Sequence, residues 1–412
     1  MPPRQAPRRG PGSPEPGSAS REVLDQAPER KLPARSEGQL QQWQRQGDLQ
    51  VRTAWEFRTL VEQEGFAQAY ARTHVVVAAD AEFQHQASLH LGLGPTDPPM
   101  RLREAQLQGV QALPLGSGSE LVLPIHGAGA GERQGGSQVL EALVEGRSVD
   151  FSGSGVGNRL QPRRELHTRL SLSRIGHGLL LLERAIGENG IVAVSSAEGC
   201  LATAYGPLLG PMASALYSSG GAGSIGATMP ALALLGPGSP VLVGGAIGWV
   251  TGSGLGHAPA VRRLPSGHAR TPGATAAVTV DLHNLQPGWL RAAHFEGHGS
   301  ALVVPIAAPI PLLDSHIARQ AAVADTDLEA PVLDLAIPRR LKPSLGSVSY
   351  AALKAGRLTL QEQRLSATPS HSPRLARAIA ARLVEELQQG RFPLRLPIQP
   401  LSPRTTLLPL DP

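Results

Sequence analysis

"TAWEFRTLVEQEGFAQAYARTHVVVAAD", residues 53–80, sets two periodicities end to end. Thr53 followed three residues later by Glu56 is a capping box, in which the hydroxyl and the carboxylate each satisfy a backbone N–H at a helix start. The pattern predicts a helix over residues 53–72. From His74 to Asp80 the chain is a continuous β-branched run, which reads as a buried strand. A helix that feeds directly into such a strand predicts a mixed α/β fold.

Reading outward, the alternation continues. "ELVLPI" (120–125) and "SVDFSGSG" (148–155) read as strands, and "SQVLEALVEG" (137–146) as a helix stopped at Gly146. "SLSRIGHGLLLLERAIGENG" (171–190) reads as a helix closed by Asn189-Gly190. Short strands are expected at "IVAVSS", "VLVGG" and "AAVTVDL", followed by "ALVVPIAAPIPLL". The last helix, residues 372–390, has Ser372 as N-cap, Pro373 at the first position and Gly390 past its end. Its Leu375, Ile379, Leu383 and Leu387 lie on one face. The expectation is α/β with mixed sheets, flanking helices and Gly/Pro-rich loops in one compact globular unit. That unit spans residues 36–390. A Pro/Arg-rich tail over residues 1–35 is expected to be disordered, because it has too little apolar content to repay ordering. Residues 391–412 form a Pro-rich C-terminal extension.

Composition narrows the function classes. Of the 412 residues, 41% are hydrophobic and 17% charged, as in a globular chain, and 47 Gly and 37 Pro imply many turns. The net charge is +5, but the basic residues are almost all Arg, scattered and not interleaved with aromatics. No nucleic-acid surface is expected. A single cysteine, Cys200, excludes a disulfide framework and a multi-cysteine metal site within one chain. The start of the chain has no secretory apolar core, and its apolar stretches are cut by Gly and Pro short of a membrane span. A cytoplasmic location without membrane attachment is expected.

Gly221, Gly223 and Gly226 spell G-x-G-x-x-G, yet Pro230 interrupts the helix that should follow. No acid occurs between Glu198 and Asp281 to hold a ribose, so a dinucleotide site is rejected. A glycine loop close to a ligand or to another backbone is the milder reading. "HFEGH" spaces His294 and His298 four apart, but Gly297 opposes a rigid helix and no carboxylate or cysteine stands at ligand spacing, so no metal is expected. His257 lies in a Gly-flanked loop suited either to function or to a backbone hydrogen bond. In "DSHIARQAAVADTDLEAPVLDLAIPRR" (314–340), Asp314, Asp325, Asp327, Glu329 and Asp334 precede Arg339 and Arg340. Paired Arg forks suit a carboxylate, and the same spacing suits an internal salt-bridge network.

That stretch, with "GGAIGWVTGSGLGHAPA", "LRAAHFEGHGSALVVPIAAPIPLLD", "PTDPPMRL" around Asp97 and "PRRE" from Pro162, resembles the homocysteine biosynthesis sulfur-incorporation family from about residue 36 to 388. The resemblance implies sulfur transfer to aspartate semialdehyde, or a similar small carboxylated electrophile. It further implies sulfide or a persulfide donor, an external reductant supplied by an electron-donor protein, and no bound cofactor. Residues at matching motifs are Asp97, Arg163, Asp325, Asp327, Asp334, Arg339 and Arg340 for substrate. His85 and His257 are acid–base candidates. The cysteines of the family fall near His85, Leu160 and Val192 and are absent here. Cys200 is therefore the one thiol, either a relocated nucleophile or a small buried hydrophobe. Two readings follow: a divergent sulfurtransferase, or a non-catalytic paralogue that keeps the fold and an anion-binding pocket as a binding or regulatory protein. Both require these distant segments to meet in a single cleft, and neither specifies an oligomeric state.

Overall fold

The computed structural model describes residues 32–116, 118–129, 134–360 and 362–410. Most of the expected tail, residues 1–31, lies outside them. The start of the ordered body moves slightly towards the N-terminus. The Tyr70 hydroxyl donates to Pro33 O at 2.7 Å, and Arg35 Nη1 donates to Thr73 O at 2.6 Å.

The fold is α/β. A 13-stranded sheet is seeded by the parallel pair Val51–Thr53 and Val75–Asp80 and continues through antiparallel neighbours to Glu165–Leu170. A six-stranded mixed sheet carries Val192–Val194, Ser214–Tyr217, Glu329–Asp334 and Gln363–Pro369 in its interior. A three-stranded sheet (Arg291–Phe295, Gly299–Val303, Phe83–Gln84) and the hairpin Gly199–Leu201/Leu208–Gly210 fill the space beside them.

The opening stretch folds nearly as read. Glu56 N donates to the Thr53 hydroxyl at 3.2 Å, while the Glu56 carboxylate accepts from Thr53 N at 2.8 Å. The single expected helix is two, Ala54–Glu64 and Phe66–Ala71, because Gly65 takes φ +83° and breaks the ladder. Val75–Asp80 is buried on both faces. Val76 and Ala78 belong to the main core, whereas Val75, Val77 and Ala79 pack in a second core with Ile379, Leu383 and Leu387 of the Pro373–Gln388 helix.

Residues 171–190 correct the sequence reading. Ile175–Gly187 is a 13-residue strand, paired on both edges with Ala87–Leu93 and Thr275–Asp281. A run of four leucines fits either period, and burial here alternates: Gly178, Leu180 and Leu182 are buried while Leu179 and Leu181 are partly open. Gly176 and Gly178 lower helix propensity, and two waiting edges supply the backbone partners. Gly178 also lets Leu282 approach, since a Cβ there would lie 3.0 Å from it.

Gly226 is needed for a neighbouring backbone: a Cβ would stand 2.3 Å from Glu188 Cα. The C-terminal extension is not set apart. Phe392 and Leu394 are buried, and Thr406 N donates to His257 O at 2.9 Å.

Candidate active site

The buried strand ends in a carboxyl. Beyond Asp80 the chain runs through Ala81 to Glu82, which bridges to His371, and Ser372 N donates to Ala81 O at 2.9 Å. The strand end is thereby set against the start of the Pro373–Gln388 helix, capped by the Ser372 hydroxyl. A cavity of about 290 Å³ opens there, walled by Asp80, Glu82, Tyr217, Lys354, His371 and Arg377.

Charges of both signs meet in this small hollow. Asp80 is buried, and one of its oxygens accepts from Ile225 N at 3.0 Å. Desolvation raises its pKa against that bond. The Glu82 carboxyl is also raised, by desolvation first and by the charge of Asp80 second, with Arg184 opposing. Among the described residues the Glu82 carboxyl takes no hydrogen bond or ion pair. Burial lowers the His371 pKa to about 4, so its ring is neutral at physiological pH. Lys354 is held by Asp325 at 2.7 Å, yet burial lowers its pKa. Arg377 lies over Trp55, 5.4 Å from the ring centroid, with no carboxylate partner among the described residues. A few uncommitted polar groups converging on a cavity mark a candidate ligand site.

Of the residues expected from sequence, Asp325 alone reaches this cavity's border. It also accepts from Ala222 N at 2.9 Å, holding the glycine loop. Cys200 is exposed, which corrects the buried alternative; it sits opposite Leu209 in the small hairpin. His85 Nε2 meets Ala204 O at 2.7 Å, and His298 Nε2 meets Ala202 O at 3.1 Å. Burial depresses the His85 pKa, with the Ala204 bond opposing. The same hairpin loop offers Tyr205 O to the Ser370 hydroxyl at 2.6 Å, one residue before His371. The loop after Cys200 thus borders the cavity wall, though neither Cys200 nor His85 lines the cavity.

The other candidates are dispersed, and the expectation of one shared cleft is not met. His257 is buried, with Nδ1 accepting from Thr275 N at 3.0 Å and Nε2 donating to Ser402 O at 2.8 Å, so both ring nitrogens are used by backbone. Asp334 is buried and caps Ser196 N and Ala336 N. Asp327, Arg339 and Arg340 are exposed. Arg163 donates to Asp97 O at 3.2 Å beside a separate hollow of about 630 Å³ lined by Pro99, Met100 and Arg174 among others. His294 and His298 belong to a β-hairpin, not a helix. Among the described residues no group of three or more His, Cys, Asp or Glu could hold a metal ion.

Residues 49–394 match the model of the family described as homocysteine biosynthesis enzyme, sulfur-incorporation. The chain belongs to that family. This family member is 30% identical over 361 residues to the L-aspartate semialdehyde sulfurtransferase of Methanosarcina acetivorans, covering 86% of the chain and 70% of that protein. It is 28% identical over 370 residues to the protein of the same description from Methanocaldococcus jannaschii, covering 84% and 69%. No solved structure matches. No helix among the described residues is long and apolar enough to cross a membrane.

Sequence reasoning missed Asp80, Glu82, Lys354, His371 and Arg377. A signal for the first two was present: carboxylates two apart, at the end of a run buried on both faces, where ionised groups are costly.

Proposed function

We propose that this chain is a sulfurtransferase that inserts sulfur into a small carboxylated aldehyde, of the aspartate semialdehyde type, within the Asp80–Glu82–Arg377 cavity. The observation that carries the reading is the set of uncommitted groups of both signs around a hollow sized for a metabolite, in a chain of a sulfur-incorporation family. Sulfide adds to the carbonyl carbon, the carbonyl oxygen takes a proton, and loss of water gives a thioaldehyde. Two electrons and two protons from an external reductant then give the thiol. Expulsion of water needs a general acid, and a carboxyl that keeps its proton near neutral pH is suited to supply it. Cys200, exposed in the hairpin whose loop reaches the cavity wall, is the point at which a persulfide donor would load sulfur; that route consumes two further electrons.

A second reading, a binding paralogue without turnover, is favoured by one observation: the chain has no cysteine besides Cys200. The test is homocysteine formation from aspartate semialdehyde, sulfide and a low-potential reductant, followed by mass spectrometry. Turnover is expected with wild type and with Cys200→Ser when sulfide is the source. Only wild type is expected to turn over with a persulfide donor. No product from wild type with either source would leave the paralogue reading in possession.

A further inference from the structure

We infer that the hollow of about 630 Å³ beside Arg163 is a second binding site, for an amphiphilic anion: an apolar body with a carboxylate or phosphate head. It shares no lining residue with the Asp80 cavity, so the inference goes beyond the reaction proposed above. Two strands build its floor. Along Glu165–Leu170, residues two apart share a face, and Leu166, Thr168 and Leu170 all line the hollow. On the neighbouring strand Val149–Gly155, Phe151 lines it, and the next two positions on the same face are Gly153 and Gly155. A Cβ on Gly153 would stand 2.7 Å from Leu102 and 3.2 Å from the Phe151 ring, and one on Gly155 would stand 3.1 Å from Met100. Those three side chains are themselves lining, so the room exists because two side chains are withheld.

Two cations border this apolar floor. Arg163 donates Nη1 to Asp97 O at 3.2 Å and Nε to Glu165 O at 3.1 Å, and Arg174 donates Nη1 to Arg169 O at 2.9 Å. Neither guanidinium has a carboxylate partner among the described residues. Backbone carbonyls thus fix where the two forks stand without cancelling their charge. Glu120, the one carboxylate of the lining, is exposed and pairs with neither, so the lining is net positive. An apolar hollow with a few placed polar groups is the usual form of a small-molecule site, and guanidinium forks select carboxylate or phosphate. A neutral apolar guest would leave the forks unused, and a wholly polar anion would leave the floor unused.

The experiment is a fluorescence titration of the full chain with 8-anilinonaphthalene-1-sulfonate, an aromatic body with one fixed anion. Displacement by octanoate, octyl phosphate and 1-octanol follows. The dye is expected to saturate at about one molecule per chain, as a single hollow requires. Octanoate and octyl phosphate should displace it at roughly tenfold lower concentration than octanol, and the stronger of the two anions names the head group. Thr168→Tyr, which sets a ring into the hollow from a half-buried position, should abolish saturable binding. Arg174→Met, at an exposed side chain, should weaken the dye and both anions about tenfold and leave octanol unchanged. A cooperative urea transition in each variant shows that the change belongs to folded protein. Absence of saturable binding to wild type, octanol as effective as both anions, or a titration unchanged in Arg174→Met overturns the inference.

Discussion

Burial holds the Asp80 carboxyl above its ordinary range against the bond from Ile225 N, and at Glu82 burial and the charge of Asp80 raise the carboxyl together, with Arg184 opposing. The folded protein keeps protons that the unfolded chain has already released, so stability falls as pH rises above roughly 4 and goes on falling until both are ionised. His371 acts with the opposite sign. Its folded pKa of about 4 lies below the unfolded value, so its contribution is lost as pH falls from roughly 6.5 towards 4. Thermal melts between pH 4 and 9 should show Asp80→Asn flattening the alkaline limb, because Asn still accepts from Ile225 N but carries no charge. Melts of His371→Asn should show a flattened acid limb; an unchanged profile in either variant would contradict the assigned cause. Residue identity alone picked out Asp325 because a spaced acidic pattern is visible in one dimension. Asp80 and Glu82 lie nearly 300 positions before Arg377, and only the docking of a helix start on a strand end makes them neighbours. His257 was legible as a special loop residue, but its burial under Ser402 was not.

Among the elements, the Pro373–Gln388 helix was read in full: cap, first proline, apolar face. Leu383 is fully buried in the core shared with Val75 and Val77. Leu383→Ala should cost about 2–5 kcal/mol, measured as a lower urea midpoint with an unchanged slope. Gly226→Ala should destabilise as well, since its Cβ would meet the Glu188 backbone, and backbone cannot move aside as a side-chain tip can. Amide exchange of residues 186–190 should quicken in that variant. Elements with one dominant signal were legible, as at Val75–Asp80. Ile175–Gly187 was not, because its leucines satisfy both periods and the choice was made by strands nearly a hundred residues away on either side.

Across the whole molecule, the last described residues return to the body: Ser402 N donates to the Ser253 hydroxyl at 2.9 Å, and Thr406 N reaches His257 O. Deleting residues 399–412 should uncover His257, lower the melting temperature and quicken amide exchange at Thr275. Sulfide-dependent turnover should stay as in wild type, since that segment contributes nothing to the cavity wall. The legible part of the architecture was its alternation and its chain-spanning extent. The illegible part was which loops converge, because expected landmarks such as His257 and Asp334 hold backbone and do not line the cavity. The strand Val75–Asp80, clamped by a separate hydrophobic body on each face, has no freedom to roll about its axis. Its terminal carboxyl is thus aimed before any guest arrives, as a fixed anvil. Crystals grown with and without a small carboxylated guest should superimpose along residues 75–82, leaving adjustment to the lysine and arginine that face them.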